Sequence, residues 1–186
     1  MLLVVDNGSI YTKNLTSFLT EKNILFDIQT PNTLDLNSLS NYDSFILSGR
    51  RKNEKKINEI NSKIVNYSIK HNSKLLGICY GAEILALTLG GTIKKSSSLQ
   101  KGDETVKIFK NNLIQKNSLL VFESHNFEIS KLPKELVSIG ESANCKYEII
   151  SHATKPIFGT QFHPEMSLDG NNLIEKFCNL WMILIT

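Results

Sequence analysis

Short apolar segments that alternate with longer helical patterns constrain the fold of this chain more than any other feature. Runs rich in Val, Ile and Leu occur at residues 2–6, 24–30, 44–49 and 74–79. The segments between them carry apolar residues every three or four positions, most clearly at 54–72. Apolar strands joined by amphipathic helices are typical of a parallel sheet that is buried on both faces. The first half of the chain therefore predicts an α/β fold.

The second half is richer in short strand candidates. A helix is predicted at 82–89, where it stops at two glycines, and a last amphipathic helix is predicted at 169–184. Strand candidates between these helices lie at 104–109, 119–123, 136–140, 147–151 and 157–162. No repeat or linker divides the 186 residues. We therefore expect one domain over 1–186, with a mostly parallel sheet, flanking helices and a β-richer second half.

Composition and charge exclude several classes of protein. The chain is 41% apolar and 21% charged, with a formal net charge of +3, which is too small and too mixed to indicate a nucleic-acid or membrane partner. The apolar runs at 1–5 and 180–185 are far shorter than the ~20 residues of a membrane helix. The three cysteines lack a CxxC or metal-ligand spacing, so we expect no disulfide framework, no metal site and a cytoplasmic location.

The segment Gly77-Ile-Cys79-Tyr-Gly81 joins an apolar strand to a helical pattern. Two glycines flank a nucleophilic residue type, as in a nucleophile elbow, whose sharp turn lifts the side chain above the sheet. The N-terminus of the helix would also favour a thiolate, because its free N–H groups stabilise negative charge. The pentapeptide alone is equally compatible with a buried structural cysteine.

The segment His163-Pro-Glu165 follows the last strand candidate. An extended backbone can direct the histidine and the glutamate to the same side. The imidazole could then take the proton of a thiol, while the carboxylate orients the ring and stabilises its charged form. Alone, this tripeptide is also compatible with a surface turn, but its combination with the cysteine elbow favours a catalytic site.

Three motifs resemble those of class I glutamine amidotransferases, and they occur in that family's order: Ile46-Leu-Ser-Gly49, Gly77-Ile-Cys-Tyr-Gly81 and Gly159-Thr-Gln-Phe-His-Pro-Glu165. The resemblance spans nearly the whole chain and implies a flavodoxin-like α/β fold. Within the family the chain is most similar to the separate glutaminase subunit of archaeal-type GMP synthases. That similarity is carried by Asp6-Asn-Gly8, Glu123-Ser-His125 and Thr154-Lys-Pro-Ile157.

The resemblance implies a role for each matching position. Cys79, His163 and Glu165 would form the catalytic triad. The oxyanion hole would be built by the backbone of Tyr80 and by the loop at Gly49 and Arg50. Substrate would be held by the residue at position 83 and by a loop, namely Glu83, Ser124, His125, Asn126 and Phe127.

The chain departs from the family pattern in three segments. The chain has Ser48-Gly-Arg-Arg51 where members usually have Ser-Gly-Gly-Pro, and a residue with a side chain resists positive φ. Glu83 replaces a common glutamine, and an ionised glutamate cannot donate a hydrogen bond as an amide does. Phe127 stands where GMP synthase glutaminases typically have an acidic residue after the histidine, and the pair Asn126-Phe127 resembles the corresponding loop of carbamoyl phosphate synthase glutaminases. His125 is equally compatible with a substrate-loop residue and with a structural histidine.

The implied activity is hydrolysis of the glutamine side-chain amide through a thioester on Cys79. No nucleotide-binding glycine loop occurs in the sequence. Ammonia would therefore pass to a separate ATP-using chain, the synthetase subunit of a GMP synthase, and that partner rather than this chain would bind ATP and Mg. Two alternatives remain open: a stand-alone amidase or γ-glutamyl hydrolase with a substrate selected by Glu83 and Arg50, and a non-catalytic binding or regulatory protein.

Overall fold

The computed structural model describes residues 1–109 and 114–180. The helices of this part are α1 (Thr12–Glu21), α2 (Lys55–His71), α3 (Tyr80–Thr88) and α4 (Leu168–Cys178). Its strands are β1 (Leu2–Val5), β2 (Phe26–Gln29), β3 (Ser44–Leu47), β4 (Lys74–Ile78), β5 (Thr92–Ile108), β6 (Ser118–Lys131), β7 (Leu136–Glu141), β8 (Ile149–His152) and β9 (Ile157–Thr160). Short 3₁₀ helices span Leu36–Asn41 and Pro164–Met166.

The strands form one sheet in the order β2-β1-β3-β4-β9-β8-β7-β5-β6. The pairs from β2 to β9 are parallel, and those from β9 to β6 are antiparallel. The α/β fold class and the β-richer second half are therefore confirmed. β4 leads into Cys79 and lies between β3 and β9. Cys79 therefore lies where three neighbouring parallel strands end.

Two apolar clusters cover the two faces of the parallel strands. Leu2 and Val4 belong to one cluster with residues of α1 and α4, while Leu3 and Val5 belong to the other with residues of α2 and α3. This alternation follows from the two-residue period of a strand. The parallel strands β1, β3 and β4 are buried at every position, as their continuous apolar sequences predict.

Strands β5 and β6 are much longer than the sequence indicated. The predicted strands began at 104 and ended at 123, whereas the ribbon extends from Thr92 to Lys131. The extra part of β5 is mostly exposed and polar, so it lacks an apolar pattern, and its pairing with β6 holds it in place. The segment Ser124–Phe127, expected to be a loop, belongs to β6.

Other boundaries differ by smaller amounts. β2 is an edge strand with Ile28 half exposed, rather than a strand buried on both faces. Helix α3 begins two residues earlier than predicted, directly after Cys79. The last helix ends at Cys178, and residues 181–184 of its predicted range lie outside the described residues. None of the helices described is both long enough and apolar enough to cross a membrane.

Candidate active site

Cys79 lies at the sharp turn between β4 and α3. Its backbone angles are φ 51° and ψ −105°, and its N–H donates to the Thr160 carbonyl at 2.7 Å. A Cβ added to Gly77 would overlap the Gly81 backbone, and one added to Gly81 would overlap the Leu47 carbonyl. Both glycines are therefore required by the close approach of strand and helix, as in a nucleophile elbow.

The Cys79 thiol is buried in an acidic environment. Burial raises the pKa of this thiol well above its ordinary value, and the negative charges of Glu83, Glu123 and Glu165 raise it further. The backbone N–H of Tyr80 at the helix N-terminus acts in the opposite direction. The helix N-terminus thus acts in the expected direction, but desolvation outweighs its effect.

His163 and Glu165 form a buried pair, with His163 Nδ1 2.8 Å from Glu165 Oε1. The His163 N–H donates to the Phe122 carbonyl at 2.9 Å, which ties the histidine to β6. Its ring contacts the backbone of Gly49, since a Cβ added there would lie 2.8 Å from His163 Cε1. No hydrogen bond joins the Cys79 sulfur to His163 in the part of the chain described.

A pocket of about 280 Å³ opens beside Cys79. It brings together most of the site residues that the sequence predicted, although they come from α3, β6 and the loop after β3: Arg50, Cys79, Tyr80, Glu83, Ser124, His125, Asn126 and Phe127. Arg51, Asn53 and Leu99 also line it. Within residues 1–109 and 114–180, no cluster of His, Cys, Asp or Glu is arranged to hold a metal ion.

Arg50 packs against Tyr80 at the edge of this pocket. Its guanidinium carbon lies 4.0 Å from the centre of the Tyr80 ring. Arg50 Nη1 donates to Asn53 Oδ1 and Asn58 Oδ1, both at 2.8 Å, and the Tyr80 hydroxyl donates to the same Asn58 oxygen. Burial raises the pKa of Tyr80 to about 12, with Arg50 opposing that shift. The phenol is therefore neutral at physiological pH.

The peptide between Gly49 and Arg50 is held by a buried polar network. Ser48 Oγ donates to the Gly49 carbonyl at 2.9 Å and accepts from the Asn7 N–H at 2.9 Å. Asn7 in turn exchanges side-chain hydrogen bonds with Asn61 of α2. Because the peptide is trans, the Arg50 N–H points away from the carbonyl that Ser48 binds. The φ angle of Arg50 is not positive, so its side chain causes no backbone strain.

Glu83 lies in the first turn of α3 and is almost fully buried. Gln161 Nε2 donates to its Oε1 at 3.3 Å. Burial raises the pKa of Glu83, while the Gln161 hydrogen bond and the charges of Arg50 and His125 oppose that shift. Glu83 therefore keeps its proton to a higher pH than an exposed glutamate does. A neutral carboxyl, unlike a carboxylate, can donate a hydrogen bond.

Several residues around the site were not found from the sequence. The Tyr11 ring lies 4.5 Å from that of His163, and its hydroxyl donates to Ser124 Oγ at 3.2 Å. Gln161 supports Glu83, and Glu148 lies near Glu123. Tyr11 directly precedes α1, and no motif marks either Tyr11 or Glu148. Only Gln161 carried a signal, because it lies within the motif that contains His163.

The fold and site define an α/β protein with a cysteine at a strand-to-helix elbow and a buried His–Glu pair close by. Residues 3–180 match the family described as glutamine amidotransferase class-I, and the chain belongs to that family. Two relatives, both named as a subunit of the glutamine-hydrolysing GMP synthase, are each 33% identical to it. The match covers 96% of the chain and 92% of the Thermoplasma acidophilum protein, and 97% of both proteins for Methanocaldococcus jannaschii.

Solved structures agree with this assignment. A crystal structure described as that of a GMP synthase subunit from Thermoplasma acidophilum matches with a TM-score of 0.85 and 29% identity, covering 99% of this chain and 96% of that one. A glutamine amidotransferase from Thermotoga maritima matches with a TM-score of 0.77, covering 99% of this chain and 83% of that one. Its 19% identity shows a shared fold alone.

Proposed function

We propose that this chain is the glutaminase subunit of a two-subunit GMP synthase. Its membership of the class-I amidotransferase family supports glutamine as the ammonia donor, and the names of its relatives support the GMP pathway. The single observation that carries the proposal is the elbow at Cys79, which opens into the same pocket as Glu83 and the segment 124–127. We take residues 1–186 as a single amidotransferase domain.

The proposed reaction begins when Cys79 Sγ attacks the γ-amide carbon of glutamine. His163 takes the thiol proton and delivers it to the departing nitrogen, so that ammonia leaves and a glutamyl thioester remains. Water then attacks the thioester, with His163 taking its proton, and glutamate and the free thiol are released. Glu165 fixes the ring through Nδ1, which leaves Nε2 for these transfers.

The negative oxygen of each tetrahedral intermediate needs nearby donors. The Tyr80 N–H is one candidate, because it already interacts with the Cys79 sulfur. The Arg50 N–H is the second, and the Ser48 hydrogen bond to the Gly49 carbonyl supports its fixed orientation. The raised pKa of Cys79 means that the resting thiol is protonated, so proton transfer to His163 must accompany the attack.

The proposed partner is the separate, ATP-using synthetase subunit of GMP synthase, which would carry ATP and Mg. The word subunit in the names of both relatives supports this division of labour. The ammonia acceptor would then be bound by the partner. We also propose a cytoplasmic location, for which the free state of Cys79, Cys145 and Cys178 is the supporting observation.

The test uses 6-diazo-5-oxo-norleucine, a diazoketone that mimics glutamine and alkylates a cysteine. We expect one adduct by intact mass, no adduct in Cys79→Ser, and protection by excess glutamine. Addition of the synthetase subunit should then produce ATP-dependent amination with glutamine as donor. A folded chain whose Cys79 reacts with iodoacetamide but not with the diazoketone would disprove the glutamine site and favour another amide substrate, selected by Glu83.

A further inference from the structure

Glu123, Glu148 and His125 form a buried group of polar atoms beside the candidate active site. The exposed fraction is 4% for Glu123, 0% for Glu148 and 5% for His125. Among the described residues no donor is directed at an oxygen of either glutamate, and the one close polar contact of the group joins Glu123 Oε2 to His125 Nε2. None of the ion pairs found there joins the two glutamates to a lysine or arginine. The group therefore has many acceptors and lacks donors.

Added protons are the simplest source of those donors. The carboxyls of Glu123 and Glu148 each shift the pKa of the other, and two ionised carboxylates that are neighbours repel each other strongly in a buried site. Burial raises the pKa of Glu148 to about 9, with the Glu123 charge adding to the shift, and burial raises the pKa of Glu123 to about 7. These values describe the pair, which retains one proton near neutral pH.

Charged and titratable groups from the neighbouring elements also face this pair. Glu104 of β5 raises the pKa of Glu123, while the Ser142 hydroxyl and the charge of His125 favour the ionised form of Glu148. Cys145 lies between β7 and β8, and burial together with the charges of Glu148, Glu128 and Glu123 raises its pKa. Glu83 of α3 faces His125. Most of these neighbours are acidic, so they oppose a second negative charge on the pair.

His125 connects the carboxyl pair to the pocket. Its Nε2 lies 2.9 Å from Glu123 Oε2, and its Nδ1 lies 2.9 Å from the carbonyl of Phe127, to which it donates. Both ring nitrogens thus face protein groups rather than the pocket interior. The ring holds the backbone at Phe127 to the side chain of Glu123, and the residues between them line the pocket.

The pairing of β5 with β6 is irregular next to Ser124–Phe127, so this segment lacks part of the regular strand ladder. His125 pairs with Gln100 and Phe127 pairs with Lys95, so four residues of β5 bulge out opposite Asn126. The regular ladder is therefore interrupted at the place where β6 lines the pocket. The contacts of His125 span this interruption.

We propose that Glu123 and Glu148 retain one proton between them, which Glu123 donates to His125 Nε2, and that this contact fixes His125 as a positioning residue, which sets the backbone of Ser124–Phe127 for substrate binding. Ionisation of the pair places two negative charges in a buried site and releases this segment. Substrate affinity then falls at alkaline pH. The substrate part of this inference rests on the proposed function.

The test measures labelling of Cys79 by 6-diazo-5-oxo-norleucine between pH 7 and 10. In the wild-type chain the half-saturating concentration should rise as pH passes the pKa of the pair, by up to about tenfold per pH unit. The Glu148→Gln variant should show a smaller rise, because an amide does not ionise and only the contribution of Glu83 remains. Glu59→Gln, an exposed change in α2, should behave as the wild type does. An unchanged rise in Glu148→Gln would overturn the proposal.

A second measurement needs no substrate. Carbon-13 NMR of labelled glutamate carboxyls should show one buried carboxyl protonated at pH 7, and Glu148→Gln or Glu123→Gln should remove its titration. If the pair is protonated but the diazoketone does not label the chain, the proposed function is disproved and the proposal of a shared proton still stands. If the diazoketone labels the chain tightly but Glu123 and Glu148 are both ionised at pH 7, the proposal of a shared proton is disproved and the proposed function still stands. If Glu148→Gln does not fold, Glu123→Gln takes its place in both measurements.

Discussion

The guanidinium of Arg50 lies over the ring of Tyr80, with Arg50 Cζ 4.0 Å from the ring centre. The two residues carry the two backbone N–H groups that we propose as oxyanion donors. They are further linked through Asn58, whose Oδ1 accepts from both side chains. The side chain of Arg50 thus connects the loop after β3 to the start of α3, which a glycine at this position could not do.

Arg50→Ala tests this connection because it removes the side chain and keeps the backbone N–H. The variant loses the contact with the Tyr80 ring and the hydrogen bonds to Asn53 and Asn58. We expect the efficiency of Cys79 labelling by the diazoketone to fall about tenfold, which corresponds to about 1.4 kcal/mol. Arg51→Ala is the matched control, since Arg51 also lines the pocket but is exposed. Equal losses in both variants would show that general positive charge matters rather than this contact.

The strained backbone of Cys79 gives a prediction that needs no activity. At φ 51° a residue with a Cβ is unfavourable, and glycine is not. Cys79→Gly should therefore exceed Cys79→Ala in free energy of unfolding by about 1 kcal/mol, measured by urea denaturation. In the regular part of α3 the order should reverse, with Ala86→Gly losing about 1 kcal/mol. Equal stability of the two Cys79 variants would mean that the turn relaxes when the thiol is removed.

The parallel half of the sheet could be predicted because its strands are buried throughout. The run at β4, for example, is apolar or glycine except for Lys74, so no other element explains it as well. The start of β5 could not be predicted, because its residues are polar and mostly exposed and its structure depends on pairing with β6. The order of the strands in the sheet could not be predicted either, because it depends on contacts between segments that are distant in sequence.

The site was predictable where its residues are adjacent in sequence. Gly77, Cys79 and Gly81 meet in one turn, and His163 and Glu165 lie two positions apart, so local motifs reveal them. Tyr11 reaches His163 from the other end of the chain, and no local pattern indicates that contact. The sequence also did not reveal how deeply Cys79 is buried, so the desolvation that raises the pKa of its thiol could not be weighed against the helix N-terminus.

Glu165→Gln tests the buried pair with His163. The amide cannot stabilise an imidazolium as the carboxylate does, so proton transfer from Cys79 to His163 becomes harder. We expect the maximal rate of glutamine hydrolysis, measured with the synthetase present, to fall about a hundredfold or more, with little change in KM. Glu175→Gln, in a surface ion pair with Lys22, should leave the rate unchanged. A variant that kept its rate would remove Glu165 from the proposed mechanism.

Glu83→Gln tests how the pocket tolerates a carboxyl where the family commonly has an amide. Burial raises the pKa of Glu83, so its proton is retained at low pH and lost as pH rises through that raised pKa. The neutral carboxyl can donate a hydrogen bond to substrate, whereas the ionised one only accepts and repels a substrate carboxylate. Below that raised pKa the wild type and the variant should therefore bind the diazoketone about equally.

At higher pH the variant should bind the diazoketone more tightly than the wild type, by about tenfold per pH unit at most. The ratio of the two half-saturating concentrations is the quantity to follow, because effects that both proteins share, including ionisation of the Glu123–Glu148 pair, cancel in it. Glu128→Gln, which breaks an ion pair with Lys94 outside the pocket, should give a ratio that does not vary with pH. A constant ratio for Glu83→Gln as well would mean that Glu83 does not change charge against the substrate, and Gln161 would then hold it in one protonation state throughout.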